Sequence, residues 1–247
     1  MRQPSQVERF IAETLGTFLL TLIGGSAATL AALLPHNHHF IATGAELVLV
    51  ALAHGLALFI IVLIVGRVSG AHVNPAVTLG LASSGQFDWG DVPLYLGAQF
   101  LGATIGAACI LIVYGKLAAT VGGLGAPSLA PNTNLIQGAV IEGIGAGILV
   151  LAVISTAADK RSPAGWAGLT IGLALGAIIM AIGPATGAAV NPARAFGPDI
   201  IDWIFFRTPT NVDWWAYIVS YLIGPIVGGV AAANLYLYMA RLPRVVR

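Results

Sequence analysis

The sequence predicts an all-α polytopic membrane protein, with six transmembrane helices and two re-entrant half-helices arranged as an inverted repeat. Three observations carry this. The chain is 57% hydrophobic and only 9% charged, where a soluble domain carries roughly 25% charged residues, and its mean hydropathy is +0.90. Six apolar stretches reach the length of about 20 residues that a bilayer-crossing helix needs. Two further apolar stretches are too short to cross, and each begins with Asn-Pro-Ala.

The first span, roughly 7–33, has Arg2 and Arg9 at its start and Glu13 soon after. It is too long for the core of a signal peptide and reads as a retained helix. The second, 45–66, ends against Arg67, and the third covers 92–115. The fourth, 134–157, is followed by Lys160 and Arg161; the fifth covers 163–182; the sixth, 214–239, precedes Arg241, Arg244 and Arg247. The short segments are 74–84 and 191–203. A ten-residue helix rises about 15 Å, half of a roughly 30 Å hydrocarbon core. Two such half-helices meeting end to end would make one more, discontinuous span. The opposite loops hold only Lys116 and Arg207, so the positive-inside rule places both termini in the cytoplasm of a multi-pass protein of the cell (plasma or inner) membrane.

The two short segments belong to a longer duplication. SGAHVNPAVTLG (Ser69 to Gly80) matches TGAAVNPARAFGPD (Thr186 to Asp199) at Gly70/Gly187, Ala71/Ala188, Val73/Val190, Asn74/Asn191, Pro75/Pro192, Ala76/Ala193 and Gly80/Gly197. AETLGTFLLTL (Ala12 to Leu22) is in step with IEGIGAGILVL (Ile141 to Leu151), and Tyr95, Gly102 and Gly106 with Tyr217, Gly224 and Gly228. The first repeat is then 1–115, the connecting loop 116–133 and the second repeat 134–247. Each repeat has an odd number of spans, so the two enter the membrane in opposite senses. Paired short segments in an inverted repeat point to a site at the bilayer midplane.

Asn-Pro-Ala starts a helix. Proline suits the first helical position, where its missing N–H has no helical partner, and asparagine caps with its side-chain oxygen. The asparagine amide nitrogen is left to offer hydrogen bonds into a cavity. With the repeats inverted, the two starts face each other, each carrying about half a positive charge. A neutral hydrogen-bond acceptor can pass such a place, while a cation or migrating proton meets a barrier.

Over essentially its whole length the sequence resembles the major intrinsic protein family, the aquaporins and glycerol facilitators. AETLGTF, SGAHVNPAVTLG, TGAAVNPARAFGPD and IGPIVGG (Ile223 to Gly229) carry the resemblance. It implies one pore per subunit, assembled as homotetramers in the lipid bilayer, with half-helix dipoles and an arginine as the known barrier to protons and ions. Arg194 has no loop to live in, and intramembrane charges mark pathways; by resemblance it is the arginine of the outer constriction. His54, Ile179 and Ala188 complete that filter. Water-only channels place Phe and His where this chain has His54 and Ile179, and glycerol facilitators place Asp where it has Ala195. His, Ile, Ala and Arg together look like the filter of plant tonoplast intrinsic proteins, several of which pass ammonia and peroxide besides water. Some of these take a further histidine from the central loop; Lys116 to Gln137 contains none.

His54 can donate or accept toward a solute, Arg194 donates, and Ile179 supplies an apolar wall. The alternative for His54 is a buried histidine satisfied by a backbone carbonyl. Carbonyls of Gly70, Ala71, His72, Gly187, Ala188 and Ala189 are expected to line the pore, since exposed carbonyls at membrane depth must face a cavity. By resemblance His72 narrows the cytoplasmic side, with loop packing as the alternative, and Glu13 and Glu142 brace the re-entrant loops through backbone N–H groups. PHNHH (Pro35 to His39) reads as a solvated loop rather than a metal site, having no carboxylate or cysteine near. Cys109, alone in the chain, excludes a disulfide framework or cysteine metal cluster and reads as core packing. The family's mercury-reactive cysteine position is Ala188 here, so mercury should inhibit weakly.

The net charge of +1 excludes a broad nucleic-acid platform. No nucleophile–base pair or metal set points to an enzyme, and no cofactor is expected. The expected activity is a passive channel for water and other small neutral solutes, such as ammonia and hydrogen peroxide, closed to protons and ions. The rivals are a glycerol-type facilitator, a proton- or ion-coupled transporter using Glu13 and Glu142, and a closed adhesive protein on the same scaffold.

Overall fold

The computed structural model describes residues 2–34, 44–206, 212–241 and 243. The PHNHH stretch, Arg207, Arg244 and Arg247 lie outside them. Ten α-helices make up the described fold: α1 (Gln6–Leu33), α2 (Gly44–Ser69), α3 (Pro75–Ser83), α4 (Val92–Tyr114), α5 (Lys116–Thr120), α6 (Leu135–Val153), α7 (Ala167–Thr186), α8 (Pro192–Phe205), α9 (Trp214–Ala216) and α10 (Gly224–Ala240). Six helical segments are long and apolar enough to cross a membrane, from 20 residues (Ala167–Thr186) to 28 (Gln6–Leu33). Their outer faces carry exposed Ile112, Val7, Ile136 and Leu173, as hydrocarbon rather than water requires.

The helix starts follow from local chemistry. Ser5 and Glu8 form a capping box at α1, with Glu8 Oε2 accepting from Ser5 N at 2.7 Å, and Asn134 and Gln137 form another at α6. Asn74 and Asn191 cap α3 and α8, each followed by proline.

Several boundaries differ from the sequence expectation. Helix α2 runs on to Ser69, because Arg67 sits favourably in the last turn against the helix dipole and does not end it. Helix α7 begins four residues later than expected and continues past Pro184 to Thr186. A proline so near a C-terminus removes only one bond. The fourth span ends in a π-helical turn, Ile154–Ala158. The sixth is widened over Tyr217–Ile223, just before Pro225, which has no N–H to return to the preceding turn. The connecting segment 116–133 is not a bare loop. It contains α5 and a 3-10 turn at Gly123–Gly125, with Leu124 completely buried.

Small residues let the spans approach closely. Helices α1 and α4 meet at Gly106, where a Cβ would lie 2.8 Å from Phe18 O; α2 and α7 meet at Gly55, where it would lie 2.7 Å from Gly172 O. At the α6–α10 crossing, a Cβ on Gly228 would overlap the Gly143 carbonyl outright. Packing of this kind holds helices together where hydrocarbon offers no hydrophobic drive. The half-helices pack crosswise: α3 chiefly on α10, and α8 chiefly on α4. Beyond the apolar interior, Asp159 accepts from Arg161 Nη2 (2.6 Å) and the Tyr236 hydroxyl (2.9 Å), tying the α6–α7 connection to α10.

Gly228→Ala should therefore destabilise the protein by about 1–3 kcal/mol or more. Gly66→Ala, whose Cβ would meet nothing nearer than 3.8 Å, should be neutral or stabilising by up to about 1 kcal/mol. Thermal unfolding of the two purified variants, followed by tryptophan fluorescence, checks this; equal midpoints would refute the crossing argument.

Candidate functional site

The two helix starts meet. Asn74 Oδ1 accepts from Ala76 N at 2.9 Å, and Asn191 Oδ1 accepts from Ala193 N and Arg194 N at 3.1 Å each. Each asparagine also reaches across the junction. Asn74 Nδ2 donates to Val190 O (2.9 Å), and Asn191 Nδ2 donates to Val73 O (2.8 Å). An amide nitrogen carries two hydrogens, so each asparagine keeps one N–H beyond this reciprocal stitch.

The backbone leading into each start is unusual. Gly70, Ala71 and Val73 have φ of 90°, 52° and 42°; Gly187, Ala188 and Val190 have 77°, 47° and 44°. Positive φ at a β-branched residue is a true outlier, costing on the order of 1–3 kcal/mol. What holds it is a buried carboxylate in each half. Glu13 accepts from Ser69 Oγ (2.7 Å), His72 N (2.9 Å), Val73 N (2.7 Å) and Gln99 Nε2 (2.7 Å). Glu142 accepts from Thr186 Oγ1 (2.6 Å), Ala189 N (3.0 Å) and Val190 N (2.6 Å). Hydrogen bonds to an ionised acceptor are about twice as strong as neutral ones. Tyrosines fasten the same turns, Tyr95 donating to Ser69 O (2.6 Å) and Tyr221 to Thr186 O (2.8 Å).

A cavity passes both asparagines. It is lined by Ala71, His72, Ala189 and Arg194 and by apolar residues including Leu58, Val77, Leu149 and Leu175. The cavity is small, with room for about one or two water molecules.

The structure brings Asn74, Asn191, His54, Arg194, Ala71, His72 and Ala189 together on this cavity. Gly70, Gly187, Ile179 and Ala188 are not among its lining residues; Ile179 and Ala188 are buried in the adjoining core cluster. Glu13 and Glu142 stand behind the loops, not on the cavity.

His54 departs from its expected role as a donor or acceptor for solute. Its Nδ1 lies 2.9 Å from Val50 O, and its Nε2 lies 3.3 Å from Arg194 Nε and 3.2 Å from Arg194 Nη2. A carbonyl only accepts and a guanidinium only donates, so Nδ1 carries the proton and Nε2 receives Arg194. Both nitrogens are spent inside the protein. Arg194 Nη1 is buried and has no partner among the described residues. It is a donor left unspent on a residue that lines the cavity. His72 sits with Nδ1 3.2 Å from Thr78 Oγ1, its ring against Phe87 and Tyr95 at 4.6 and 4.9 Å.

Sequence reasoning missed the apolar wall and several polar braces. The i, i+4 pairs Leu149/Val153 and Ile171/Leu175 line one helix face each, but nothing distinguishes that stripe from core packing. Ser69 and Thr186 stand just before Gly70 and Gly187 in the duplicated motifs, and that matched pair of hydroxyls was a usable signal.

A family model described as Major intrinsic protein matches residues 1–236. The chain is 42% identical over 244 residues to "Probable aquaporin AqpM" of Archaeoglobus fulgidus, covering 95% of this chain and 97% of that protein. It is 39% identical over 236 residues to "Aquaporin TIP2-1" of Arabidopsis thaliana, covering 94% and 87%. Among solved structures, the aquaglyceroporin of Plasmodium falciparum superposes with a TM-score of 0.77 at 30% identity, covering 94% of this chain and 96% of that one.

The carboxylate brace makes a testable claim. Glu142→Gln turns an amide NH₂ toward backbone donors, and should cost more than about 3 kcal/mol while relaxing the loop before Asn191. Thermal unfolding together with osmotic water flux through proteoliposomes reads both effects. A variant as stable and as permeable as the parent would refute the brace.

Proposed function

The chain belongs to the major intrinsic protein family, and from that premise we propose a passive transmembrane channel for water and other small neutral solutes, ammonia and hydrogen peroxide among them, closed to protons and ions. The observation that carries this reading is the buried Nη1 of Arg194, unpartnered among the described residues, on a side chain that lines a cavity together with both asparagines. A buried cation left unpaired is costly unless passing molecules solvate it.

The mechanism follows from the hydrogen-bond inventory. A molecule in the file accepts from Arg194, then from the remaining N–H of Asn191 and of Asn74. Carbonyls of the two loops accept from it, and the apolar wall offers nothing to linger on. A water whose two lone pairs are both taken by the asparagines cannot accept a proton from its neighbour. The positive ends of α3 and α8, about half a charge each, and Arg194 repel cations.

His54, Ile179, Ala188 and Arg194 form the filter in this reading, His54 by orienting Arg194. Ile179 and Ala188 would shape it from behind the lining. The repeats 1–115 and 134–247 joined by 116–133, a homotetramer, and cytoplasmic termini belong to the same reading. They are supported by family membership, the duplicated motifs and the placement of Arg67, Lys160 and Arg161. The coupled-transporter alternative is disfavoured because Glu13 and Glu142 do not line the cavity and spend their oxygens on donors of the loops. A glycerol pathway is disfavoured by Ala195, which stands where glycerol facilitators place Asp.

Stopped-flow light scattering on proteoliposomes tests the reading with sucrose, ammonia and glycerol gradients. Water flux well above the lipid background is expected, with ammonia above background and glycerol near it. Arg194→Ala should raise ammonia and glycerol flux by roughly 3–10-fold while water changes little. No protein-dependent flux of any solute would refute the channel.

A further inference from the structure

We propose that Gly24, on α1 and outside both Asn-Pro-Ala motifs, is a positioning residue for the filter: the space left by its missing side chain holds the His54 ring, and thereby fixes where Arg194 points. This rests on the channel reading above.

The geometry separates Gly24 from the glycines at the helix crossings. At Gly102, Gly106 and Gly228 the nearest obstacles to a Cβ include backbone atoms of a crossing helix, the ordinary use of glycine between membrane helices. At Gly24 all three nearest atoms belong to the His54 ring: Cε1 at 2.6 Å, with Cδ2 and Nε2 closer still. Carbon atoms in contact prefer about 3.5–4.0 Å, so any side chain here must displace the ring.

The ring is poorly placed to move. Its Nδ1 is held by Val50 O, and its Nε2 is the acceptor for Arg194. Turning or tilting the imidazole away from α1 breaks one or both bonds. Arg194 would then lose its only side-chain acceptor among the described residues, and its guanidinium would be free to swing within the cavity. One turn before Gly24, Leu20 already lines that cavity, so the push on His54 comes from the wall.

The next residue provides a control. A Cβ on Gly25 would meet Ile110 Cδ1 at 2.6 Å and Leu124 O at 3.4 Å, and no atom of His54 is among its contacts. Adjacent glycines in one helix thus have different duties: Gly25 fits α1 against the connecting segment, and Gly24 accommodates the filter histidine.

Four proteins decide the matter in proteoliposomes: the parent, Gly24→Ala, His54→Ala and the double variant, with Gly25→Ala as the packing control. Gly24→Ala should lower water flux per reconstituted protein by roughly tenfold, because the displaced ring and the released guanidinium stay in the cavity and obstruct it, whereas Arg194→Ala empties that space. On the His54→Ala background, where the ring is gone, the same substitution should change water flux and the water-to-glycerol ratio by less than about 1.5-fold, the mark of two residues acting through one contact. Gly25→Ala should leave that ratio unchanged. Equal losses on both backgrounds, parental flux in Gly24→Ala, or a matching defect in Gly25→Ala would each overturn the proposal. Should Gly24→Ala not be recovered folded, recovery of the double variant supports the clash with His54, and failure of both overturns it. Absence of flux in the parent itself would strike the channel reading instead.

Discussion

Everything at the centre of this molecule depends on two carboxylates that are hydrogen-bonded almost wholly to the backbone and hydroxyls of their own half. Glu13 and Glu142 hold the turns before Asn74 and Asn191 in a backbone conformation that alanine and valine avoid. That conformation brings the two asparagines within reach of each other's loop. Without it the helix starts would not face, the reciprocal bonds to Val73 O and Val190 O would not form, and the passage would have no polar lining. An intramembrane acid is easily taken for a transport site. Here all its lone-pair capacity that matters is directed at holding a shape.

The chemistry left in the passage is a remainder. His54 spends both nitrogens on Val50 and Arg194. Each asparagine spends its oxygen on a cap and one hydrogen on the opposite loop. What is left unspent, on residues that line the cavity, is one N–H per asparagine and the Nη1 of Arg194. So few, well-separated contacts suit a small neutral molecule that must bind weakly and move on. They suit an ion badly, because none can replace a full hydration shell.

Much of this was legible in the sequence because it is written in local chemistry. Asn-Pro at the half-helix starts, the six apolar stretches and Arg194 each have a meaning that does not depend on distant residues. What was not legible depends on packing. His54 reads either as a hydrogen-bonding group for solute or as a histidine satisfied by a backbone carbonyl until Val50 and Arg194 are seen beside it. Leu149 and Ile171 read as core until the passage is seen to run past them. The connecting segment reads as a loop because its helix is short and the stretch after it is rich in Gly and Pro, yet Leu124 is buried completely. The widened turn at Tyr217–Ile223 stands beside a proline that the sequence shows plainly, but a proline alone does not say whether a helix kinks, stops or widens.

The crosswise seating of the half-helices has a consequence for how such a chain is made. The short helix of the first half finds its main support on α10, the last span to be synthesised, and that of the second half finds it on α4. A ribosome that has delivered only the first half has produced a re-entrant segment without its main support and with no opposing asparagine. The passage therefore comes into being late and all at once, when the final helix arrives. Until then there is no conduit through the membrane to leak.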